Sequence, residues 1–504
     1  MSDKNSYSEI LRSSSMIGGA SVINILVGLV KTKVAAVLLG PAGVGMIGLL
    51  QSLMTTGSVV SALGFGTVGT RQNAEAAGRA DEREITAARR ALFWGTIGLG
   101  TAGAAGFWLL RDILAEQVLR DPARGAQLGW LAIGVALSVA SGSQSALLNG
   151  LRRVGDLALL SIGSGILSTV LGVAALLWLN EAAVLLFVLA TPISSFILGL
   201  WVVSRMGPVK GPYTPLTELR RQWEGMVRLG AAFMVSGLVV TLGQLIVRTL
   251  VQEELGPDAL GQFQAAWAIS MTYIGFVLTA MGTDYYPRLT AAIQDHDAVN
   301  RLANEQTEVA LLLAGPIFFA MLGLAPWIVE LLYSSSFDET VAILRWQILG
   351  DILKLTSWPL GFVILAAGDA RTFLLSESAA IGVLVFGTWL GLPLIGVQAT
   401  GIGFLAMYGV YLPLVYLLAK RRTAFAWNRN VVMLSYSFLA VAGAIIFIAG
   451  FSEIAGGAAG VLMGCGLATY SFARLGTVAN LDGHVGAMAR LTRIFLLRLR
   501  NYLG

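Results

Sequence analysis

Residues 38–69 read LLGPAGVGMIGLLQSLMTTGSVVSALGFGTVG, and residues 254–285 read ELGPDALGQFQAAWAISMTYIGFVLTAMGTDY. A shift of 216 positions lays one over the other without a gap. Identities fall at Leu39/Leu255, Gly40/Gly256, Pro41/Pro257, Gly45/Gly261, Thr56/Thr272, Gly66/Gly282 and Thr67/Thr283. The same offset, drifting by two or three residues, carries Leu171-Gly172 onto Leu390-Gly391. Self-similarity over so long a stretch is the signature of an internally duplicated fold.

Each copy sits in strongly apolar sequence. Of the 504 residues, 56% are apolar and 12% charged, about half the ~25% charge of a soluble domain. A membrane-spanning helix needs about 20 mostly apolar residues. Fourteen segments qualify, near 16–39, 43–66, 90–111, 127–149, 157–179, 182–204, 228–252, 259–283, 306–332, 341–366, 373–393, 397–419, 430–451 and 455–474. The expected fold is therefore an all-α polytopic membrane protein with two six-helix repeats and a C-terminal helix pair. Six spans per repeat bring both repeats into the membrane in the same sense, which predicts a pseudo-two-fold axis along the membrane normal. The expected divisions are a lobe over 1–204, a linker over 205–227, a lobe over 228–419, the extra pair over 430–474 and a basic tail over 475–504.

Several function classes fall away. The connections are too short for a separate catalytic core. No Gly-Lys dipeptide occurs, so no Walker A loop is present. Lone Cys465, His296 and His484 make no metal cluster, and neither histidine lies in an expected span to serve as a base there. No metal, other cofactor or nucleic-acid partner is expected. The polar start, MSDKNSYSEILRSSS, does not read as a secretory signal. With the N-terminus in the cytoplasm, 26 of the 34 lysines and arginines fall on the cytoplasmic side and 3 outside, the orientation that cationic loops favour. Both termini are then cytoplasmic. The stretch 488–503, with Arg490, Arg493, Arg498 and Arg500 among leucines, reads as an amphipathic helix on an anionic membrane surface.

The remaining five cations lie inside spans, where each costs at least ~2.5 kcal/mol and calls for a partner, water or a function. They are Lys31 and Lys33 in span 1, Arg248 in span 7, and Arg345 and Lys354 in span 10. Under the 216 offset, Lys31 and Lys33 map to positions 247 and 249, so Arg248 stands at their depth in the related helix. Lys31 and Lys33 are about 200° apart on a helix, which leaves open which of them faces a cavity. Asp351, three residues before Lys354, is the deepest acid and within reach of a local ion pair. It is the first candidate for coupling to a proton or sodium ion, with Asp284 and Glu377 behind it near the ends of spans 8 and 11. Five cations against one deep acid select an anionic cargo held by charge-assisted hydrogen bonds.

The run VGLVKTKVAAVLLGPAGVGMIGLLQSL at 27–53, the loop LNGLRRVGDL at 148–157 and DYYPRL at 284–289 resemble polysaccharide flippases of the Wzx, or O-antigen translocase, type. These belong to the multidrug/oligosaccharidyl-lipid/polysaccharide exporter superfamily, and the resemblance covers residues 8–420. It implies alternating access and movement of an undecaprenyl-pyrophosphate-linked oligosaccharide, an O-antigen or exopolysaccharide unit, from the inner to the outer leaflet of the bacterial cytoplasmic membrane. Lys33 occupies the family's span 1 cation position, and the cationic lumen would receive the pyrophosphate. A polysaccharide polymerase and a chain-length regulator are the implied partners. Many such translocases have twelve spans. The last two spans here match lipid II flippases, where such a pair helps form a groove for the lipid tail, with dimerisation or a scaffold role as the other expectations. The competing readings are a cation-coupled multidrug antiporter, which the charge sign disfavours, and a membrane glycosyltransferase or polymerase, which would need larger outer loops.

Overall fold

A computed structural model describes residues 3–79, 82–179, 183–206 and 215–478. The central part of the linker and the amphipathic stretch expected over 488–503 lie outside these residues. The described chain is helical, without a strand: α1 (Asp3–Ala62), α2 (Phe65–Arg79), α3 (Glu82–Leu114), the short α4 (Gly125–Gly129), α5 (Leu131–Gly150), α6 (Val154–Trp178), α7 (Ala183–Ser204), α8 (Leu216–Ala291), α9 (His296–Leu332), α10 (Glu339–Ala366), α11 (Ala370–Ile395), α12 (Gln398–Thr423), α13 (Arg429–Phe451) and α14 (Glu453–Val478).

Twelve of the described helices are long and apolar enough to cross a bilayer. Two of them carry two expected spans each. The apolar part of α1, Gly18–Ala62, has 45 residues. Straight, it would be about 68 Å long, more than twice the ~30 Å hydrocarbon core. Gly40 divides it, with φ 64° and ψ −170°. Gly256 divides α8 in the same way, with φ 84° and ψ −178°. The cause is local. Proline disfavours helical backbone in the residue before it, glycine alone takes positive φ without penalty, and proline then starts the next helix where its missing N–H is not needed. The Gly-Pro pair thus separates span 1 from span 2 and span 7 from span 8. The chain is an all-α polytopic membrane protein, with fourteen spans among the described residues.

Several helices outrun their apolar segments. α3 begins at Glu82 and α9 at His296, well before the spans expected from 90 and 306. Hydropathy reports where the bilayer solvates the chain, whereas backbone hydrogen bonds carry the helix on into polar surroundings.

By packing, the chain divides into two compact units. The first comprises residues 1–261 and 332–334, the second 262–331 and 335 onward. In the first unit, Phe65, Val68, Leu92, Leu147 and Met226 form a buried cluster with Trp223 against it. The Trp223 indole donates to the Ala91 carbonyl at 2.8 Å. The first half of α8 is held there also by backbone approach, since a Cβ on Gly230 would lie 2.0 Å from the Leu63 carbonyl oxygen.

In the second unit, α14 packs on α9 through small residues. A Cβ on Gly460 would meet the Phe319 carbonyl oxygen at 2.5 Å, and one on Gly323 would meet that of Gly456 at 2.6 Å. Where lipid offers no hydrophobic drive, such close approach is what joins helices. Ion pairs hold both ends of α14: Arg345–Glu453 at 2.5 Å and Arg474–Glu308 at 3.0 Å.

Candidate functional site

In the first unit, Lys31 leaves α1 toward α7. Its Nζ donates to Thr191 Oγ1 at 3.0 Å and lies 4.7 Å from the centre of the Phe187 ring. Gly172 on α6 lies beside it, a Cβ there standing 3.4 Å from the lysine Cε and 3.0 Å from the Phe187 ring. No carboxylate pairs with Lys31 among the described residues. A hydroxyl and a ring face solvate this ammonium only in part, leaving two of its three N–H groups and its full charge for an anion.

Lys33 points elsewhere, as its 200° offset requires. Its Nζ donates to the Tyr333 backbone carbonyl at 2.6 Å. Arg248 is buried at 5% exposure, and its Nη1 donates to the Gln244 carbonyl one turn earlier on α8 at 3.1 Å. All three cations therefore belong to the first unit, Lys31 bonding a hydroxyl and Lys33 and Arg248 each a backbone carbonyl.

The second unit holds a buried acidic network. Asp351 on α10 is wholly buried. Its Oδ2 accepts two hydrogen bonds from the second half of α8: Ser270 Oγ at 2.7 Å and Tyr273 Oη at 2.5 Å. Oδ1 has no hydrogen-bond partner among the described residues, and neither has either end of the Gln347 amide one turn earlier. Residues four apart share a helix face, so three unmet polar atoms gather on one side of α10. A buried carboxylate with an unmet oxygen is costly to keep charged.

The local ion pair expected between Asp351 and Lys354 does not form. Two hydroxyls from α8 satisfy Oδ2 instead, while Lys354 lies between Met271 on α8 and two rings on α12. Its Nζ lies 3.7 Å from Met271 Sδ, 5.9 Å from the Phe404 ring centre and 5.7 Å from that of Tyr408. Lys354 still feels the charges of both Asp351 and Glu377. Glu377 on α11 has a partner of its own, its Oε1 accepting a short hydrogen bond from the hydroxyl of buried Tyr411 on α12. Asp351 and Lys354 on α10 and Glu377 on α11 thus belong to one unit, with partners on α8 and α12.

Two candidates stand apart. Arg345 forms a two-pronged bond to Glu453, Nη1 at 3.2 Å and Nη2 at 2.5 Å, and its Nε donates to the Leu322 carbonyl at 3.3 Å. Asp284 is exposed and pairs with Arg288 at 3.0 Å, four residues on. Sequence reading overlooked Thr191, Ser270, Tyr273, Gln347, Tyr408 and Tyr411. The available signal was polar residues three or four apart within apolar helices, as at 270/273, 347/351 and 408/411.

The model of the family described as "Polysaccharide biosynthesis protein" matches residues 34–342. The Lipid III flippase of Escherichia coli (strain K12) is 24% identical over 425 residues, covering 82% of this chain and 99% of that protein. The Lipid III flippase of Shigella flexneri gives the same figures. Among solved structures, the inward-facing conformation of a multidrug resistance MATE family transporter of the MOP superfamily is similar, with TM-score 0.67 and 17% identity over 80% of this chain and 94% of that one. The lipid II flippase MurJ, in its inward closed conformation, is similar with TM-score 0.63 and 10% identity over 92% of this chain and 99% of the other.

Proposed function

Because the chain belongs to the polysaccharide biosynthesis protein family and has the fold of MOP superfamily transporters, we propose that it is a flippase for a lipid-linked oligosaccharide. It carries an undecaprenyl-pyrophosphate-linked O-antigen or exopolysaccharide unit from the inner to the outer leaflet of the bacterial cytoplasmic membrane by alternating access. It acts on position, not on covalent bonds. The lipid III flippases to which it is similar support the substrate class. A polysaccharide polymerase and a chain-length regulator are the partners this reading expects on the outer face.

The observation that carries the reading is Lys31, an ammonium among apolar helices held by a hydroxyl and a ring and by no carboxylate among the described residues. A pyrophosphate supplies the missing counter-charge through charge-assisted hydrogen bonds. Lys33 and Arg248 add to the field that selects an anion. Arg345 in the second unit is paired with Glu453. In the second unit, Asp351 with Glu377 and Lys354 is the group that senses a proton or sodium ion, since a carboxylate with an unmet oxygen gains from binding either one.

The test is transfer of a labelled undecaprenyl-pyrophosphate saccharide across proteoliposomes, with and without a proton or sodium gradient. Replacing Lys31 with Ala should slow transfer about tenfold or more, the loss of one charge-assisted contact. Wild-type transfer by that variant would overturn the cargo site. A second reading, a cation-coupled drug antiporter, draws on the acidic network around Asp351. It requires transport of a cationic dye, which the flippase reading excludes.

A further inference from the structure

Beyond the flippase reading, a cavity in the second unit has its own chemistry. It measures about 740 Å³ and opens where three helix connections converge: the turn from α8 to α9, the turn from α10 to α11, and the last turn of α12. Ile293, Ile364 and Leu418 give it an apolar floor, and His296, Arg421, Arg422 and Asp369 give it a polar rim.

The rim charges are unequally engaged. Arg422 Nη1 bonds Asp369 Oδ2 at 3.1 Å, and its Nη2 donates to the Ala367 carbonyl at 3.0 Å. The other oxygen of Asp369 accepts the Thr372 backbone N–H at 3.1 Å. That amide, then the Thr372 side chain, then Arg422 and Arg371 hold the Asp369 carboxyl below its usual range, so it stays ionised and its charge stays matched to Arg422. Arg421 and His296 are exposed and make no hydrogen bond or ion pair with any described residue. Among the lining residues one acid and one base therefore cancel, leaving Arg421 without a carboxylate partner and His296 as a further donor.

We propose that this cavity binds a phosphate ester, the headgroup of an anionic lipid, with the phosphate between Arg421 and His296 and the adjoining glycerol over the apolar floor. Size and lining favour a headgroup over a free ion. The volume lies in the range of about 300–1,000 Å³ that holds small organic ligands, far more than a lone phosphate fills, and an apolar floor gives a free ion nothing. Basic pockets between transmembrane helices are a recurrent form of lipid-headgroup site. The distribution of cations assigns this end of α12, with Lys420, Arg421 and Arg422, to the cytoplasmic side, where anionic lipid is available.

The experiment uses the full chain in nanodiscs of phosphatidylglycerol and phosphatidylcholine, then extraction and native mass spectrometry of the lipid that stays bound. Wild type should retain phosphatidylglycerol in preference to phosphatidylcholine. Arg421→Ala combined with His296→Ala should lower that retention about tenfold. Arg371→Ala removes an equal charge beside the cavity but not in its lining, and should leave retention near wild type. If the double variant does not fold, as judged by size-exclusion profile, Arg421→Gln carries the same comparison. Displacement of the bound lipid by millimolar inorganic phosphate would assign the rim to free phosphate and overturn the lipid as occupant. Equal retention of the two lipids, or equal losses from Arg371→Ala and the double variant, would overturn the site.

Discussion

Gly45 and Gly261, 216 positions apart, each pack against the other's Gly-Pro turn. A Cβ on Gly45 would lie 2.8 Å from the Pro257 carbonyl oxygen, and a Cβ on Gly261 would lie 1.9 Å from that of Pro41. The identities that reveal the repeat therefore meet in space. The contact is reciprocal.

This crossing leaves no room for a methyl group on Gly261. Gly261→Ala should lower the thermal midpoint and destabilise the protein by at least ~1–3 kcal/mol, the cost of overpacking, because the atoms in the way are backbone. Gly275→Ala, on the same helix with nothing within 4 Å of its Cβ position, should be neutral. Thermal unfolding in detergent reads both.

Asp351 is the group assigned to ion sensing. Asp351→Asn should leave a folded protein whose transfer rate no longer changes with an imposed proton or sodium gradient. Tyr273→Phe should keep the carboxylate but cost ~1–3 kcal/mol, the penalty for removing one partner of a buried acceptor. A gradient response in Asp351→Asn equal to wild type would refute the assignment.

Arg345 should matter for stability more than for cargo. Arg345→Ala and Glu453→Gln should each loosen α14 from the core, and a double-mutant cycle should give a coupling of ~1–2 kcal/mol between them. The affinity for the lipid-linked substrate, measured on the folded fraction, should be unchanged.

The Asp369 cap predicts a pH dependence with a defined sign. Its carboxyl titrates below the usual range in the folded protein. The stabilisation is thus fully present above the unfolded value of about 3.9 and is lost as pH falls through the lower folded value. Asp369→Ala should unfold at lower temperature than wild type near neutral pH, and the two midpoints should converge as the medium becomes strongly acidic.

Spans, repeat and breaks were legible in the sequence because each is a local property. Twenty apolar residues dictate a membrane helix wherever they occur, and Gly-Pro allows the break at Gly40 and Gly256, although the same pair at 315–316 stays inside α9. The cost of burying Lys31, Arg248 or Asp351 was equally visible, since it depends on residue type and depth. Their partners were not. Asp351 finds Tyr273 78 residues away instead of Lys354 three residues away, and Arg345 finds Glu453 at a separation of 108. Helix rotation and packing choose among such partners, and serines and tyrosines are too common in apolar helices to announce which of them will be chosen. The sequence by itself determined which charges had to be satisfied, and only the tertiary structure decided by what, because that choice is made by contacts between helices that no stretch of chain contains.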